Sequence, residues 1–184
     1  MVYLFLADGF EEIEALTPVD ILRRAGAEVK TVAVGTEGKT VTGSHKIRVE
    51  ADMNEAQALD SLSRGDLEMI ILPGGMPGAD NLNASGTVDA FIKEAVSAKA
   101  YIGAICAAPY LLGVRGLLKG RMATCFPGFE DRLEGAQYYD CDVIRDGEFI
   151  LGRAMGAATE FALELAAALF GDSAAEEMRG KILA

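Results

Sequence analysis

Residues 101–112, YIGAICAAPYLL, join a short apolar run to a segment that favours a helix, and Cys106 lies at the junction. A strand that turns abruptly into a helix leaves the residue at the bend outside both elements. It also directs backbone N–H groups and the positive end of the helix dipole at that side chain. We therefore expect the Cys106 thiol to ionise below its solution pKa of about 8.5 and to act as a nucleophile. The alternative is a buried apolar cysteine, as most free cysteines are, and position alone leaves both interpretations open.

Short apolar runs alternate with helical periods along the whole chain, without a linker or an internal repeat. Strands are predicted at 2–7, 29–34, 68–72 and 101–105, with further ones at 122–124, 143–144 and 149–151. Helices are predicted over 11–25, from Ser85, from Thr159 as N-cap, and from Asp172 or Ser173. Segments 40–42 and 46–49 form a peripheral hairpin around a turn at 43–45. This order predicts parallel β-α-β units and one α/β domain over 1–184, with helices on both faces of the sheet.

The composition excludes several classes of protein. Seventeen basic and 28 acidic residues give a net charge of −11, so a nucleic-acid partner is not expected. The chain has no apolar stretch of the roughly 18–20 residues that a membrane span needs, and no cleavage signal follows the first strand. Three cysteines without CxxC spacing argue against both a disulfide framework and a structural zinc site. We expect a cytoplasmic protein with reduced thiols and no membrane partner.

Three features follow predicted strands directly: Asp8 to Glu14, Pro73 to Gly78, and Cys106. In open parallel sheets, ligand sites form at the carboxyl ends of the central strands. Segments that are distant in sequence are therefore expected to converge around the thiol, and this convergence predicts a functional site.

Gly74 and Gly75 allow the backbone to approach a ligand closely, since neither carries a Cβ. With the N–H of Ala107, their N–H groups would form an oxyanion hole for a substrate bound to Cys106. The alternative is a plain Pro-Gly-Gly turn. No GxGxxG pattern and no phosphate-binding lysine motif is present, so the sequence predicts no dinucleotide or nucleotide cofactor.

Glu14 is the candidate acid or base. Glu11 and Glu14 share a helix face, while Glu12 points elsewhere, although acids are also common in a first helical turn because of the dipole. Pro18 has no N–H to donate to the carbonyl of Glu14, so the helix is expected to be locally open there. Alternatively, Thr17 caps a second helical segment that begins at Pro18. A carboxyl packed against the thiol would have a raised pKa and would serve as general acid or base.

The single histidine, His45, lies in the predicted hairpin and is interpreted as a surface turn residue. A conventional Cys-His protease and a histidine-built metal site are therefore disfavoured. Cys125 and Cys141 lack the strand-to-helix setting and are interpreted as packed thiols. Arg153 would support the rim of the site, or, more simply, form a salt bridge.

Four motifs carry a family resemblance: ADGFEEIE at 7–14, TPVD at 17–20 followed by RRAG at 23–26, LPGG at 72–75 and AICAAP at 104–109. They resemble the ThiJ/PfpI superfamily, and within it the branch of the Parkinsonism-associated protein DJ-one (DJ-1). The resemblance runs almost to the end of the chain, through EFAL at 160–163. It implies a flavodoxin-like three-layer α/β sandwich with a mostly parallel sheet, and a homodimer.

The resemblance also implies roles for residues. Cys106 matches the reactive cysteine, Glu14 the carboxylic acid that hydrogen-bonds it, and Gly75 and Ala107 the backbone donors. Phe126, Pro109 and Glu11 are expected to form the pocket wall. Family members are described as cofactor-free glyoxalases, as deglycases acting on glyoxal-derived adducts, as oxidative-stress sensors and as chaperones.

The sequence departs from the family at one position. Many relatives have a histidine two residues after the threonine that matches Thr124, whereas this chain has Phe126. The pocket wall is then apolar, and it lacks a polar or metal-binding contact that those relatives have. Ala107 also replaces the histidine that follows the nucleophile in the protease branch, so a cysteine peptidase is a distant alternative.

Two hypotheses result. The first is an enzyme on small dicarbonyls or their adducts, a glyoxalase III (hydro-lyase) or deglycase-like hydrolase that needs neither metal nor glutathione. In it the Cys106 thiolate attacks the aldehyde carbon, Glu14 moves protons, and water releases lactate from methylglyoxal. The second is a redox sensor or stress chaperone in which Cys106 is oxidised to a sulfinate.

Overall fold

A seven-stranded sheet lies at the centre of the computed structural model, which describes residues 1–184. The strands of the protein are β1 (Val2–Ala7), β2 (Val29–Val34), β3 (Thr40–Thr42), β4 (Arg48–Glu50), β5 (Met53–Asn54), β6 (Met69–Leu72), β7 (Tyr101–Ile105), β8 (Met122–Ala123), β9 (Gln137–Tyr138), β10 (Val143–Asp146) and β11 (Phe149–Gly152). The order across the large sheet is β10-β11-β7-β6-β1-β2-β5. Every neighbouring pair in it is parallel except β10 and β11.

Helices cover both faces of this sheet. They are α1 (Glu12–Arg24), α2 (Glu55–Leu62), α3 (Gly78–Ala84), α4 (Gly86–Ala98), α5 (Pro109–Gly113), α6 (Ala158–Phe170) and α7 (Asp172–Ile182). Short 3-10 turns occupy Glu130–Leu133 and Met155–Ala157. The protein is a single α/β domain with a three-layer, mostly parallel architecture, as predicted.

The fully buried strand β1 divides the core between the two faces. Tyr3 and Phe5 pack against Phe91 of α4, with ring centroids 4.8 and 5.0 Å apart. Leu4 and Leu6 belong to a second apolar cluster, on the opposite face of the sheet, together with buried side chains of α1 and α6. A strand buried on both faces is typical of a central parallel strand, so the ends of β1 and its neighbours are held rigidly.

The predicted strands and most helices are confirmed, with corrections at their ends. The helix predicted from Ser85 is α4, and Ser85 caps it by accepting from the N–H of Val88 at 3.3 Å. Thr159 is not an N-cap, because α6 begins at Ala158 and no side chain caps it. α7 begins at Asp172 and is preceded by Gly171, so neither predicted residue caps it with its side chain.

Two further segments differ from the prediction. The helix α1 continues through Pro18, so Thr17 does not start a second helix. The hairpin is β3–β4, and its second strand begins at Arg48 because the turn extends from Gly43 to Ile47, where the Gly43 N–H donates to the Ile47 carbonyl at 2.9 Å. None of the helices is both long enough and apolar enough to traverse a bilayer.

Candidate active site

The predicted convergence of strand ends is present in the structure. Cys106 follows β7, Gly74 and Gly75 follow β6, and the segment leading into α1 follows β1. Because β7, β6 and β1 are neighbours in the sheet and run parallel, their carboxyl ends lie side by side. The three segments therefore meet at one edge of the sheet.

The backbone of Cys106 adopts a left-handed conformation, with φ of +64°. This region is uncommon for residues other than glycine and costs roughly 1 kcal/mol or more. Two hydrogen bonds hold the residue in it: the Cys106 N–H donates to the Gly152 carbonyl at 2.9 Å, and the Phe126 N–H donates to the Cys106 carbonyl at 2.8 Å. The residue is only partly buried, so the bend leaves part of it open to solvent.

Glu14 is turned into the protein, with an exposed fraction of 1%. Its carboxylate accepts from the Gly74 N–H at 2.9 Å, and the backbone of Met155 also acts to lower its pKa. Its own N–H donates to the carboxylate of Glu11, which caps α1, at 2.7 Å. Burial raises the pKa of Glu14 to about 7, and the negative charge of Glu11 adds to this effect.

Glu14 and Cys106 are close because a glycine separates them. A Cβ placed on Gly74 would lie 2.6 Å from Glu14 Oε2 and 2.7 Å from Cys106 Cβ. No real Cβ tolerates such distances, so a side chain at this position would push the two groups apart. The carboxyl and the thiol are thus close enough for each to shift the pKa of the other.

The direction of the thiol pKa is opposite to the one predicted. Burial and the adjacent Glu14 carboxylate raise the pKa of Cys106, and the N–H groups of Ala107 and Gly75 offset only part of this. The helix after Cys106 begins only at Pro109 and has five residues, so its dipole is weaker than expected. In this site the thiolate is favourable only when Glu14 carries the proton.

Two of the three predicted oxyanion donors face the sulfur. The N–H groups of Gly75 and Ala107 lower the pKa of the Cys106 thiol, whereas the Gly74 N–H donates to Glu14 at 2.9 Å. Gly75 has φ of +85°, and a Cβ on it would lie 2.6 Å from the Gly9 carbonyl oxygen. Gly74 therefore positions the carboxyl, and the remaining two N–H groups are the candidate oxyanion donors.

The residues assigned to the pocket wall occupy different environments. Phe126 is 44% exposed, and its backbone N–H is hydrogen-bonded to the Cys106 carbonyl. Pro109 is buried at the first position of α5. Glu11 is half-buried as the N-cap of α1. Of these three, Phe126 has the most exposed side chain, and its backbone contacts Cys106.

Sequence reasoning missed the pairing of Glu12 with His45. Glu12 is buried and accepts from the His45 N–H at 2.8 Å, from the His45 ring Nδ1 at 3.0 Å and from the Ser44 hydroxyl at 3.3 Å. Burial opposes its ionisation, but these hydrogen bonds prevail and lower its pKa. Glu11, Glu12 and His45 each place one possible metal-ligand atom within 4.8 Å of the other two. The carboxylate oxygens of Glu12, however, already accept from N–H and O–H donors.

The remaining candidates lie outside the pair. Cys125 is buried, and Cys141 is half-buried with its carbonyl accepting from the Thr124 hydroxyl at 3.0 Å. Arg153 forms a 2.6 Å ion pair with Asp140, which is the simpler of its two predicted roles.

The chain is similar in sequence and in structure to known proteins. The family model described as the DJ-1/PfpI family matches residues 1–168. The chain is 35% identical to the Parkinson disease protein 7 homolog of Danio rerio, over 98% of this chain and 95% of the relative. It is 30% identical to a protein of Pyrococcus horikoshii named a deglycase, over 83% of this chain and 90% of the relative.

Some relatives are much longer than this chain. It is 38% identical to the DJ-1 homolog B of Arabidopsis thaliana over 90% of its own length, but it spans only 37% of that protein. Among solved structures, a DJ-1 superfamily protein of Salmonella typhimurium matches with a TM-score of 0.90 at 36% identity, covering 99% of this chain and 97% of that one. Toxoplasma gondii DJ-1, solved in an oxidized form, matches with a TM-score of 0.91 at 32% identity, with the same coverage.

Proposed function

The chain belongs to the DJ-1/PfpI family, and on that premise we propose that it is a cysteine-dependent, cofactor-free enzyme acting on small reactive dicarbonyls. The observation that carries this proposal is the Cys106–Glu14 pair across Gly74, with two backbone N–H groups on the sulfur. A nucleophile, a proton carrier and oxyanion donors are the parts that addition to an aldehyde requires.

Glu14 takes the place of the histidine in Cys-His sites. Moving the thiol proton to the Glu14 carboxylate creates the thiolate without changing the net charge of the buried pair. A carboxyl whose pKa is about 7 is matched to that transfer near neutral pH. The raised thiol pKa opposes this transfer, but the part of the rise that comes from the Glu14 charge disappears when Glu14 accepts the proton.

The reaction with methylglyoxal balances without an external oxidant. The Cys106 sulfur adds to the aldehyde carbon, and the oxygen of the resulting hemithioacetal lies against the N–H groups of Gly75 and Ala107. Glu14 first returns the thiol proton to the hemithioacetal oxygen, and as a carboxylate it then takes the proton from the former aldehyde carbon, which gives an enediol. Glu14 delivers that proton to the neighbouring carbon while the hydroxyl proton of the first carbon passes to the ketone oxygen, so the first carbon is oxidised to a thioester and the ketone is reduced to an alcohol. Water then cleaves the thioester, giving lactate and regenerating the thiol.

The same first step serves adducts of dicarbonyls. Methylglyoxal forms hemithioacetals with thiols and aminocarbinols with amines through its aldehyde carbon. When the thiol or amine leaves, the aldehyde is regenerated, and the Cys106 sulfur attacks the same carbon. The deglycase name of the Pyrococcus horikoshii relative supports this class of substrate. We therefore propose glyoxalase III-like and deglycase-like turnover as two outcomes of one site.

Incubation of the purified protein with methylglyoxal, without glutathione or added metal, tests the proposal. We expect lactate from the wild type and none above background from Cys106→Ala, while Cys141→Ala stays active as the matched control. No lactate from the wild type, or equal lactate from Cys106→Ala, removes the enzyme hypothesis.

A second candidate function is redox sensing or a stress-chaperone role set by Cys106 oxidation. The supporting observation is that Cys106 alone combines partial exposure with N–H donors on the sulfur, whereas Cys125 is buried. The oxidized form of the Toxoplasma gondii relative fits this role. Mass spectrometry after graded peroxide treatment tests it: selective oxidation of Cys106 supports the role, and uniform oxidation of all three thiols contradicts it.

We also propose a homodimer assembled through the exposed face of α1. Ile13 and Leu16 on α1 and Ile47 beside the hairpin are exposed by 47%, 36% and 53%, and they line one groove with the end of α7. Clustered exposed apolar side chains mark interaction surfaces.

A reducing compartment such as the cytoplasm would keep Cys106 a thiol.

A further inference from the structure

Large apolar side chains reach solvent at the three backbone segments that build the Cys106 site. Met76 follows Gly75, Phe126 donates its N–H to the Cys106 carbonyl, and Met155 lies where the backbone donates to Glu14. Their exposed fractions are 45%, 44% and 47%. Phe126 is thus held to Cys106 by a backbone hydrogen bond, Met76 adjoins Gly75 beside the thiol, and the Met155 backbone influences Glu14, while all three side chains reach solvent.

The polar groups of the same segments are already engaged. The Thr124 hydroxyl donates to the Cys141 carbonyl, and the guanidinium of Arg153 is paired with Asp140. The charges beside the sulfur are the carboxyls of Glu11 and Glu14. This environment disfavours an anionic substrate and offers an apolar surface to the part of the substrate that does not react.

Resting on the proposed function, we infer that the preferred substrates are uncharged 2-oxoaldehydes whose ketone carries an aryl or large alkyl group. Phe126 is the specificity-determining residue, since an aromatic ring contacts an aryl substituent over a large area. The two methionines provide flexible thioether surfaces that adapt to such groups and contact aromatic rings favourably. Phenylglyoxal is the simplest aryl member of the class.

The chemistry is unchanged by the larger substituent. An aryl 2-oxoaldehyde and one water give the corresponding 2-hydroxy acid, with the aldehyde carbon oxidised and the ketone carbon reduced. Methylglyoxal places only a methyl group against Phe126. An added apolar contact of this kind discriminates substrates by about tenfold or more in kcat/KM.

The experiment compares kcat/KM for phenylglyoxal and methylglyoxal, measured as mandelate and lactate formed. Product is followed because phenylglyoxal also reacts with arginine side chains. The variants are Phe126→Ala, Phe126→Leu and Phe170→Ala. Phe170 is the matched control, because it is 45% exposed but lies at the far end of α6.

We expect the wild-type ratio of phenylglyoxal to methylglyoxal kcat/KM to be about ten or more. Phe126→Ala should lower that ratio about tenfold, Phe126→Leu should lower it less, and Phe170→Ala should leave it unchanged. Lactate formation that depends on Cys106, with a ratio near one or a ratio indifferent to Phe126→Ala, overturns this inference and leaves the proposed function standing. If neither product forms, the proposed function fails and the inference fails with it.

Discussion

Glu14 and Cys106 lie against the same Cα, that of Gly74, with no room between them for a Cβ. The carboxyl comes from the helix after β1 and the thiol from the bend after β7, 92 positions later in the chain. The intervening strand β6 sets their separation, because Gly74 lies two residues beyond its end at Leu72. A short-range acid–thiol pair is therefore built from three neighbouring strand ends, and its chemistry depends on the sheet rather than on any one loop.

Replacement of Glu14 tests the proton transfer. In Glu14→Gln no carboxylate is present to accept the thiol proton, so kcat/KM for methylglyoxal should fall by about 10²–10⁴-fold. In the wild type, kcat/KM should rise as the pH passes about 7, the pKa of Glu14, since the ionised carboxyl is the base. Steady-state rates between pH 5.5 and 9 measure this. A wild-type profile that is flat across pH 7 would count against Glu14 as the base.

The raised pKa of Glu14 also predicts how stability depends on pH. Glu14 ionises near its ordinary pKa in the unfolded chain but at about 7 in the folded protein. Between these values the folded state binds more protons, so the free energy of unfolding should decrease as the pH rises from about 4.5 to 7. The loss is about 3 kcal/mol if no other group compensates.

Denaturant unfolding of Glu14→Gln serves as the control for that prediction. The variant has no titrating group at this position, so its decrease over the same pH range should be smaller than that of the wild type. If the free energy of unfolding falls equally with pH in the two proteins, ionisation of the buried Glu14 carboxyl does not destabilise the fold, which contradicts the prediction.

Substitution of Gly74 tests the geometry of the pair. The added methyl group of Gly74→Ala would meet Glu14 Oε2 and Cys106 Cβ at 2.6 and 2.7 Å. We expect a loss of about 1–3 kcal/mol in stability from overpacking and a fall of about 100-fold in kcat/KM from displaced groups. Gly38→Ala is the matched control, because a Cβ there has no neighbour within 4 Å. Equal activity of the two variants would disprove the role of Gly74.

The proposed dimer surface is tested by one charge. Leu16→Glu places a carboxylate in the apolar face of α1, and burying it unpaired should raise the dimer dissociation constant by about 100-fold or more. Val96→Glu is the control, because Val96 is similarly exposed but lies on α4, in the other helical layer. Sedimentation or light scattering reports the mass. A Leu16→Glu protein as dimeric as the control would place the interface elsewhere.

Local patterns in the sequence were sufficient to predict six of the seven strands of the large sheet, all but β5, and the three converging segments. Cys106 is visible because an apolar strand and a helix-prone segment meet at it, and Ser85 because it precedes a helical period. Thr159 misled because a favourable capping residue is not required when the helix is held by packing, as α6 is by Phe161 and Leu165.

Interactions between distant residues could not be predicted in this way. Glu12 bonds to His45, 33 positions later, and no local pattern announces that contact. The Gly74 N–H was assigned to an oxyanion, but Glu14 is nearer to it in the fold. The sign of the thiol shift depends on burial and on the Glu14 charge, which together outweigh the backbone donors. Both quantities arise from tertiary structure.

Alkylation of Cys106 by iodoacetamide as a function of pH, in the wild type and in Glu14→Gln, tests the shared proton most directly. The rate reports the thiolate, and peptide mass spectrometry assigns it to Cys106 rather than Cys141. If the two groups titrate as one unit, the midpoint for Cys106 should differ between the two proteins by at least about half a pH unit. Superimposable profiles, or a Cys106 that is inert at every pH, would contradict the account.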